Sequence, residues 1–117
     1  HVCYYQVGNL ITRPVFLWDF FSNELLWSGT HEDTAGWNAV PITPIHVNAG
    51  RQIMPAYRKP SGANMWYVAS RNYPWPVSKT GIEAVASGMF STNYQLIPNS
   101  SHQDSSYFAD IIFVPDP

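Results

Sequence analysis

At 117 residues the chain is long enough for one domain to bury a core without metal or disulfide staples, and too short for a second. Charged residues are 12% against 45% apolar, so the surface is built largely from Ser, Thr, Asn, Gln and aromatic hydroxyls, a balance expected of an extracellular or virion β-protein. A formal charge of −2 with no basic run excludes the phosphate-neutralising stripe of nucleic-acid or anionic-membrane binding, and a single cysteine, Cys3, excludes an intrachain disulfide, a redox CxxC pair and a thiolate zinc site.

In chain order, strand character appears at residues 2–7, 15–20, 25–29, 37–42, 51–58, 65–70 and 107–114, each rich in β-branched or aromatic residues. Turn signals separate them at Ser22-Asn23, Ala35-Gly36, Asn48-Ala49-Gly50 and Pro60-Ser61-Gly62-Ala63-Asn64, where Gly or Asn takes positive φ cheaply. Ten prolines and seven glycines break every window long enough for a stable helix.

The irregular stretch 73–103 carries Pro74, Pro76 and Pro98; one short helical turn is expected over residues 82–86 and a further strand over 88–91. The last strand alternates most clearly, with Tyr107, Ala109, Ile111 and Phe113 on one face. Leu17 or Trp18, Trp37, Tyr57, Ile111 and Phe113 are the expected core, and Trp18, Trp27 and Trp37 read as core filling. The pattern predicts an all-β fold, a two-sheet antiparallel β-sandwich of immunoglobulin-like or jelly-roll-like type, as a single domain over residues 1–117. His1 already stands at a strand, so the chain reads as a piece of a longer polypeptide.

The ordered series Val2 with Tyr4-Tyr5, Leu17-Trp18, Leu25-Leu26, Gly36-Trp37, Pro44-Ile45-His46-Val47-Asn48-Ala49-Gly50, Tyr57-Arg58-Lys59-Pro60-Ser61-Gly62, Tyr67, Gly88-Met89-Phe90 and residues 106–113 spans nearly the whole chain. In that order it resembles a family of β-sandwich accessory domains of unknown function, found in secreted bacterial proteins and bacteriophage structural proteins. The resemblance implies a sandwich, an extracellular setting and modular attachment, and it transfers no active site. Family members carry another strand or two before the Val-x-x-Tyr run. The resemblance therefore implies that preceding residues or an adjacent subunit cover a sheet edge here.

Candidate chemistry is sparse. Trp66, Tyr73 and Trp75 fall in a proline-held aromatic cluster and form a candidate glycan platform, since a stiff ring stacks on sugar CH faces at little entropic cost; the competing reading sends either Trp66 or Tyr67 into the core. His1, His31, His46 and His102 lack zinc spacing, and Glu32-Asp33 with Asp104 lack the Asp-x-Asp-x-Asp-Gly calcium loop, so loop capping is the expected role of these carboxylates. Asp110, set mid-strand among apolar residues, needs partners if it is buried, from Arg58, Arg13 or backbone N–H groups. No carboxylate pair or Gly-x-Ser-x-Gly elbow points to an enzyme, and no cofactor or metal is expected. Two readings follow: a non-catalytic module for glycan or cell-surface binding and adhesion, or a structural decoration domain of a virion that contacts neighbouring protein chains, with neither nucleic acid nor membrane insertion involved.

Overall fold

The computed structural model describes residues 1–6, 10–58, 77–79, 82–84, 89–90, 100–101 and 109–112. These residues are all-β and contain no helix. Among the described residues ten strands run in chain order: β1 (Val2–Gln6), β2 (Thr12–Asp19), β3 (Leu25–Glu32), β4 (Gly36–Val40), β5 (Ile53–Tyr57), β6 (Val77–Lys79), β7 (Ile82–Ala84), β8 (Met89–Phe90), β9 (Ser100–Ser101) and β10 (Ala109–Ile111). Two three-stranded antiparallel sheets, ordered β10-β1-β4 and β3-β2-β5, are accompanied by the pairs β6-β7 and β8-β9.

Strict alternation sets the inner faces. In β1 the side chains of Val2, Tyr4 and Gln6 are buried, while Cys3 and Tyr5 between them are half-buried, so a one-residue slip would turn Cys3 and Tyr5 inward instead. In β2, Arg13, Val15 and Leu17 are buried at the same two-residue period, and after the register shift at Leu17/Trp18 both Trp18 and Asp19 are buried. Val2, Tyr4 and Val40 from one sheet meet Val15 and Leu17 from the other in a single apolar cluster, with Leu26, Trp27, Ile53, Tyr57 and Ile111 packed around it. Burying a Val or Leu side chain is worth roughly 1.5–3 kcal/mol, so this cluster is what holds the two sheets together.

The three turn signals within the described residues all lie where turns or strand starts occur. Asn23 takes φ 59°, Gly36 φ +92° and Gly50 φ +83°. At Gly50 the left-handed backbone closes a turn in which the Arg51 N–H donates to the Asn48 carbonyl at 3.2 Å. Gly29 serves a different purpose: a Cβ there would stand 2.8 Å from the Trp27 indole, which lies across the strand at that point.

The strand β2 starts earlier than its sequence pattern predicts, running through Pro14. Proline is expected only where its missing N–H is not needed. Here the Arg58 N–H donates to the Pro14 carbonyl at 3.0 Å, which makes Pro14 and Arg58 a facing pair whose return bond proline cannot supply. The Arg58 carbonyl instead accepts from Arg13 Nη1 at 2.6 Å, so a side chain replaces the absent backbone donor. Pro55, by contrast, stands in β5 at the margin of its sheet, opposite Leu17, where a proline is ordinarily tolerated.

Two sequence expectations are corrected. Residues 82–84 form β7, paired antiparallel with Val77–Lys79, where a helical turn was expected over residues 82–86; cross-strand pairing satisfies the backbone of the strand instead. Trp37 is not core: it is 55% exposed, because its register opposite Tyr5 places it on the outer face of β4 while Asn38 and Val40 point inward. Leu17 and Trp18 are buried, Tyr57 and Ile111 are half-buried, and Phe113 and the strand expected at 65–70 lie outside the described residues. The strand β1 is paired on both sides, by β4 and β10.

Candidate functional site

Among the described residues, the most concentrated ionisable chemistry lies inside the fold. Asp33, immediately after β3, accepts from Arg13 Nη2 at 2.9 Å and from Arg13 Nε at 3.2 Å, from the Tyr4 hydroxyl, and from the Ile11 N–H at 3.2 Å. The guanidinium also lies 5.7 Å from the centre of the Tyr57 ring, which stacks on Tyr4 at 5.5 Å. Burial pushes the Asp33 carboxyl toward neutrality, but the Arg13, Tyr4 and Ile11 donors outweigh it and hold the group below the usual carboxylate range. Burial, reinforced by the bond to Asp33, raises the Tyr4 phenol well above its ordinary value. Tyr4 and Arg13 are fully buried and Asp33 is 6% exposed, so this triad, completed by the Ile11 N–H and the Arg58 carbonyl, is sealed inside the fold.

A second cluster stands at the surface, where the β2–β3 turn meets the segment leading into β5. Asp19 ends β2 and folds the turn over itself: its Oδ1 accepts from the N–H groups of Phe21 at 2.9 Å and Ser22 at 3.1 Å. Its Oδ2 pairs with Arg51, which the Gly50 turn delivers from the other side. The Arg51 bond, followed by the turn N–H groups, pulls the Asp19 carboxyl down to about 2, so it is an anion at all ordinary pH.

The guanidinium of Arg51 then lies 5.3 Å from the centre of the Phe21 ring, which remains 58% exposed. Beside them is a cleft of about 190 Å³ with Leu26 and Ile53 among its apolar walls and His46, Asn48, Asp19 and Arg51 among its polar ones. His46 Nε2 and Asn48 Oδ1 are 3.0 Å apart. Among the described residues, Arg51 Nε and Nη1 and Asn48 Nδ2 donate no hydrogen bond to protein.

A third surface is apolar. On the outer face of the β10-β1-β4 sheet, Tyr5 and Trp37 meet edge to face at 5.6 Å and 71°, and a shallow cleft of about 240 Å³ is lined by Cys3, Trp37, Asn38, Ala39, Ile111 and Ile112. Ile112 is 53% exposed. The Asn38 side chain is turned away from this face and is spent on the turn before β4: it accepts from the Thr34 N–H and hydroxyl, and donates to the carbonyls of Thr34 and Gly36.

Of the residues singled out by sequence, Trp66, Tyr73 and Trp75 lie outside the described residues, as do His102 and Asp104. Glu32 is an exposed strand end and Asp33 is buried in the ionic triad; the described residues bring together no group of three or more His, Cys, Asp or Glu able to hold a metal. Asp110 stands in register opposite Cys3, and Arg13, a partner proposed for it, is committed to Asp33 instead. His31 packs edge-on against Tyr4 at 6.1 Å, and His46 reaches the surface cleft. The Asp19–Arg51–Phe21 corner was not anticipated, because Asp19 and Arg51 are 32 positions apart; the signal that marks it is an aromatic residue, Phe21, immediately before the Ser22-Asn23 turn signal. No protein-family model, curated protein or solved structure matches the chain.

Proposed function

We propose that this chain is a non-catalytic β-sandwich module, of the accessory-domain type that its motif order resembles, which binds glycans on a surface outside the cell, as part of a secreted protein or a virion. The observation that supports this reading is the Arg51 corner: uncommitted side-chain donors and an apolar wall share one small cleft, and the largely exposed Phe21 ring packs against Arg51 beside it. Small-ligand sites combine these features, an apolar surface for area and a few polar groups for orientation. Among the described residues, the buried Tyr4–Arg13–Asp33 triad is a structural element of the core. Trp66, Tyr73 and Trp75 are proposed as a further platform on the sequence reading alone.

A glycan array probed with the fluorescently labelled intact chain tests the proposal: retention on one or more carbohydrate classes, competed by free sugar, is expected. An array blank at millimolar-range monovalent affinity, repeated with a multivalent display of the chain, overturns it.

The outer face of the β10-β1-β4 sheet favours a second reading, a decoration domain that packs against another protein. Trp37 and Ile112 are each more than half exposed there. Its cleft lining is apolar, and the amide of Asn38 is already occupied, so this face offers a sugar few polar partners and a protein surface many apolar ones.

A further inference from the structure

We infer that the outer edge of β3 pairs with the same edge of a second copy of this chain, antiparallel about a two-fold axis at Gly29. The ladder between β2 and β3 shows which backbone groups are already spent. The Asp33 N–H donates to the Ile11 carbonyl at 2.9 Å, so by alternation the facing pairs Arg13–His31, Val15–Gly29 and Leu17–Trp27 exchange hydrogen bonds. Ser28, Thr30 and Glu32 therefore turn their N–H and C=O groups the other way, and no described residue bonds to them there. Their side chains are exposed as well.

Folded chains ordinarily blunt such an edge with proline, lysine or a bulge, because unpaired backbone groups invite another strand. The opposite edge of the same sheet is blunted in this way. The Arg58 N–H bonds to Pro14, so Met54 and Ala56 face β2, while Pro55 directs a ring nitrogen that has no hydrogen toward the open side. The strand β3 contains neither proline nor lysine, and the register shift at Leu17/Trp18 lies at its start, which leaves residues 27–32 regular. A sheet with one edge capped and the other open closes as a discrete pair and not as a filament, since the two-fold contact uses the same edge of both copies.

The occupant follows from self-complementarity. Outward-turned groups must meet outward-turned groups, and with the axis at Gly29 they do: Ser28 falls opposite Thr30 of the second copy, and Thr30 opposite Ser28 of the second copy, on the exposed face where hydroxyl pairs add to the ladder. Gly29 meets itself at the narrower, non-hydrogen-bonded position, with no side chain to collide across the axis. Trp27 falls opposite His31 and Glu32 opposite Leu26, so no like charges oppose each other. Moving the axis toward Leu25 runs the ladder into the register shift, and moving it toward Glu32 shortens it. The pairing is independent of the glycan reading above.

Sedimentation velocity of the full chain at concentrations up to about 1 mM should show a reversible monomer–dimer equilibrium. The double variant Ser28→Lys with Thr30→Lys sets like charges opposite each other twice and should weaken the dimer about tenfold or more. Ser28→Lys with Thr30→Glu sets unlike charges at the same positions and should pair at least as tightly as the native chain. With the axis at Ser28 or Thr30 instead, a substituted position would oppose itself, so this second variant reads the register. Both sites are exposed, and circular dichroism checks that each variant keeps its fold. Trp37→Ala, on the other sheet, should leave the equilibrium unchanged.

A chain that stays monomeric over the whole range would overturn the inference. So would a dimer indifferent to Ser28→Lys with Thr30→Lys, a dimer lost in Ser28→Lys with Thr30→Glu, or one lost in Trp37→Ala, which would move the contact to the outer face of the β10-β1-β4 sheet.

Discussion

Asp33→Ala is the most informative perturbation of the fold. The substitution removes one acceptor from four donors at once: Arg13 Nε and Nη2, the Tyr4 hydroxyl and the Ile11 N–H. Arg13 is left charged at 0% exposure, and stripping one partner from a buried ion pair typically costs about 3–5 kcal/mol. Against a total stability of roughly 5–15 kcal/mol, that is a fifth or more of the whole. Urea unfolding followed by tryptophan fluorescence should show the midpoint falling with little change in slope.

The double variant Arg13→Met with Asp33→Leu should lose less than the two single variants summed, because no buried charge is then orphaned. It will not recover fully. The Arg58 carbonyl still loses the Nη1 bond that stands in for the proline N–H, and the Tyr4 hydroxyl loses its acceptor. A cost below about 1 kcal/mol for Asp33→Ala would refute the triad as the polar anchor of the core, since surface substitutions reach only about half that.

The remaining expectations concern pH, the turn and the outer face. Asp33 and Asp19 both have depressed folded-state values, so their stabilisation is full above the unfolded carboxylate range and is lost as pH falls below about 4; acid unfolding monitored by circular dichroism should begin there, and Asp33→Ala should flatten it. Tyr4 is raised in the folded state, so its contribution is constant below about pH 10 and declines above it, and Tyr4→Phe should abolish that alkaline loss while costing stability at pH 7. Asn38→Ala removes four hydrogen bonds from a residue only 2% exposed and should cost about 1–3 kcal/mol in the same urea assay, whereas a neutral result would mean water replaces the amide. Trp37→Ala should change stability by less than about 1 kcal/mol; a loss of about 3 kcal/mol or more would restore the core role that its residue type suggested.

The all-β class, the turns near Asn23, Gly36 and Gly50 and the alternation of β1 were legible in the sequence, because each rests on local chemistry: proline and glycine placement, positive φ and the two-residue period. Which face of an alternating strand turns inward is not local. Gly36–Val40 offers Trp37 and Ala39 on one face and Asn38 and Val40 on the other, and residue type favoured the tryptophan; the pairing with β1, together with the need of the Thr34–Gly36 turn for the Asn38 amide, chose the opposite. The ionic triad draws on positions 4, 13 and 33, and the surface corner on 19, 21, 46, 48 and 51. No spacing rule connects such residues. They become neighbours only when antiparallel pairing brings distant strands into register, so the tertiary structure alone decided that Asp33 would be sealed in the core and Asp19 set at the rim of a cleft.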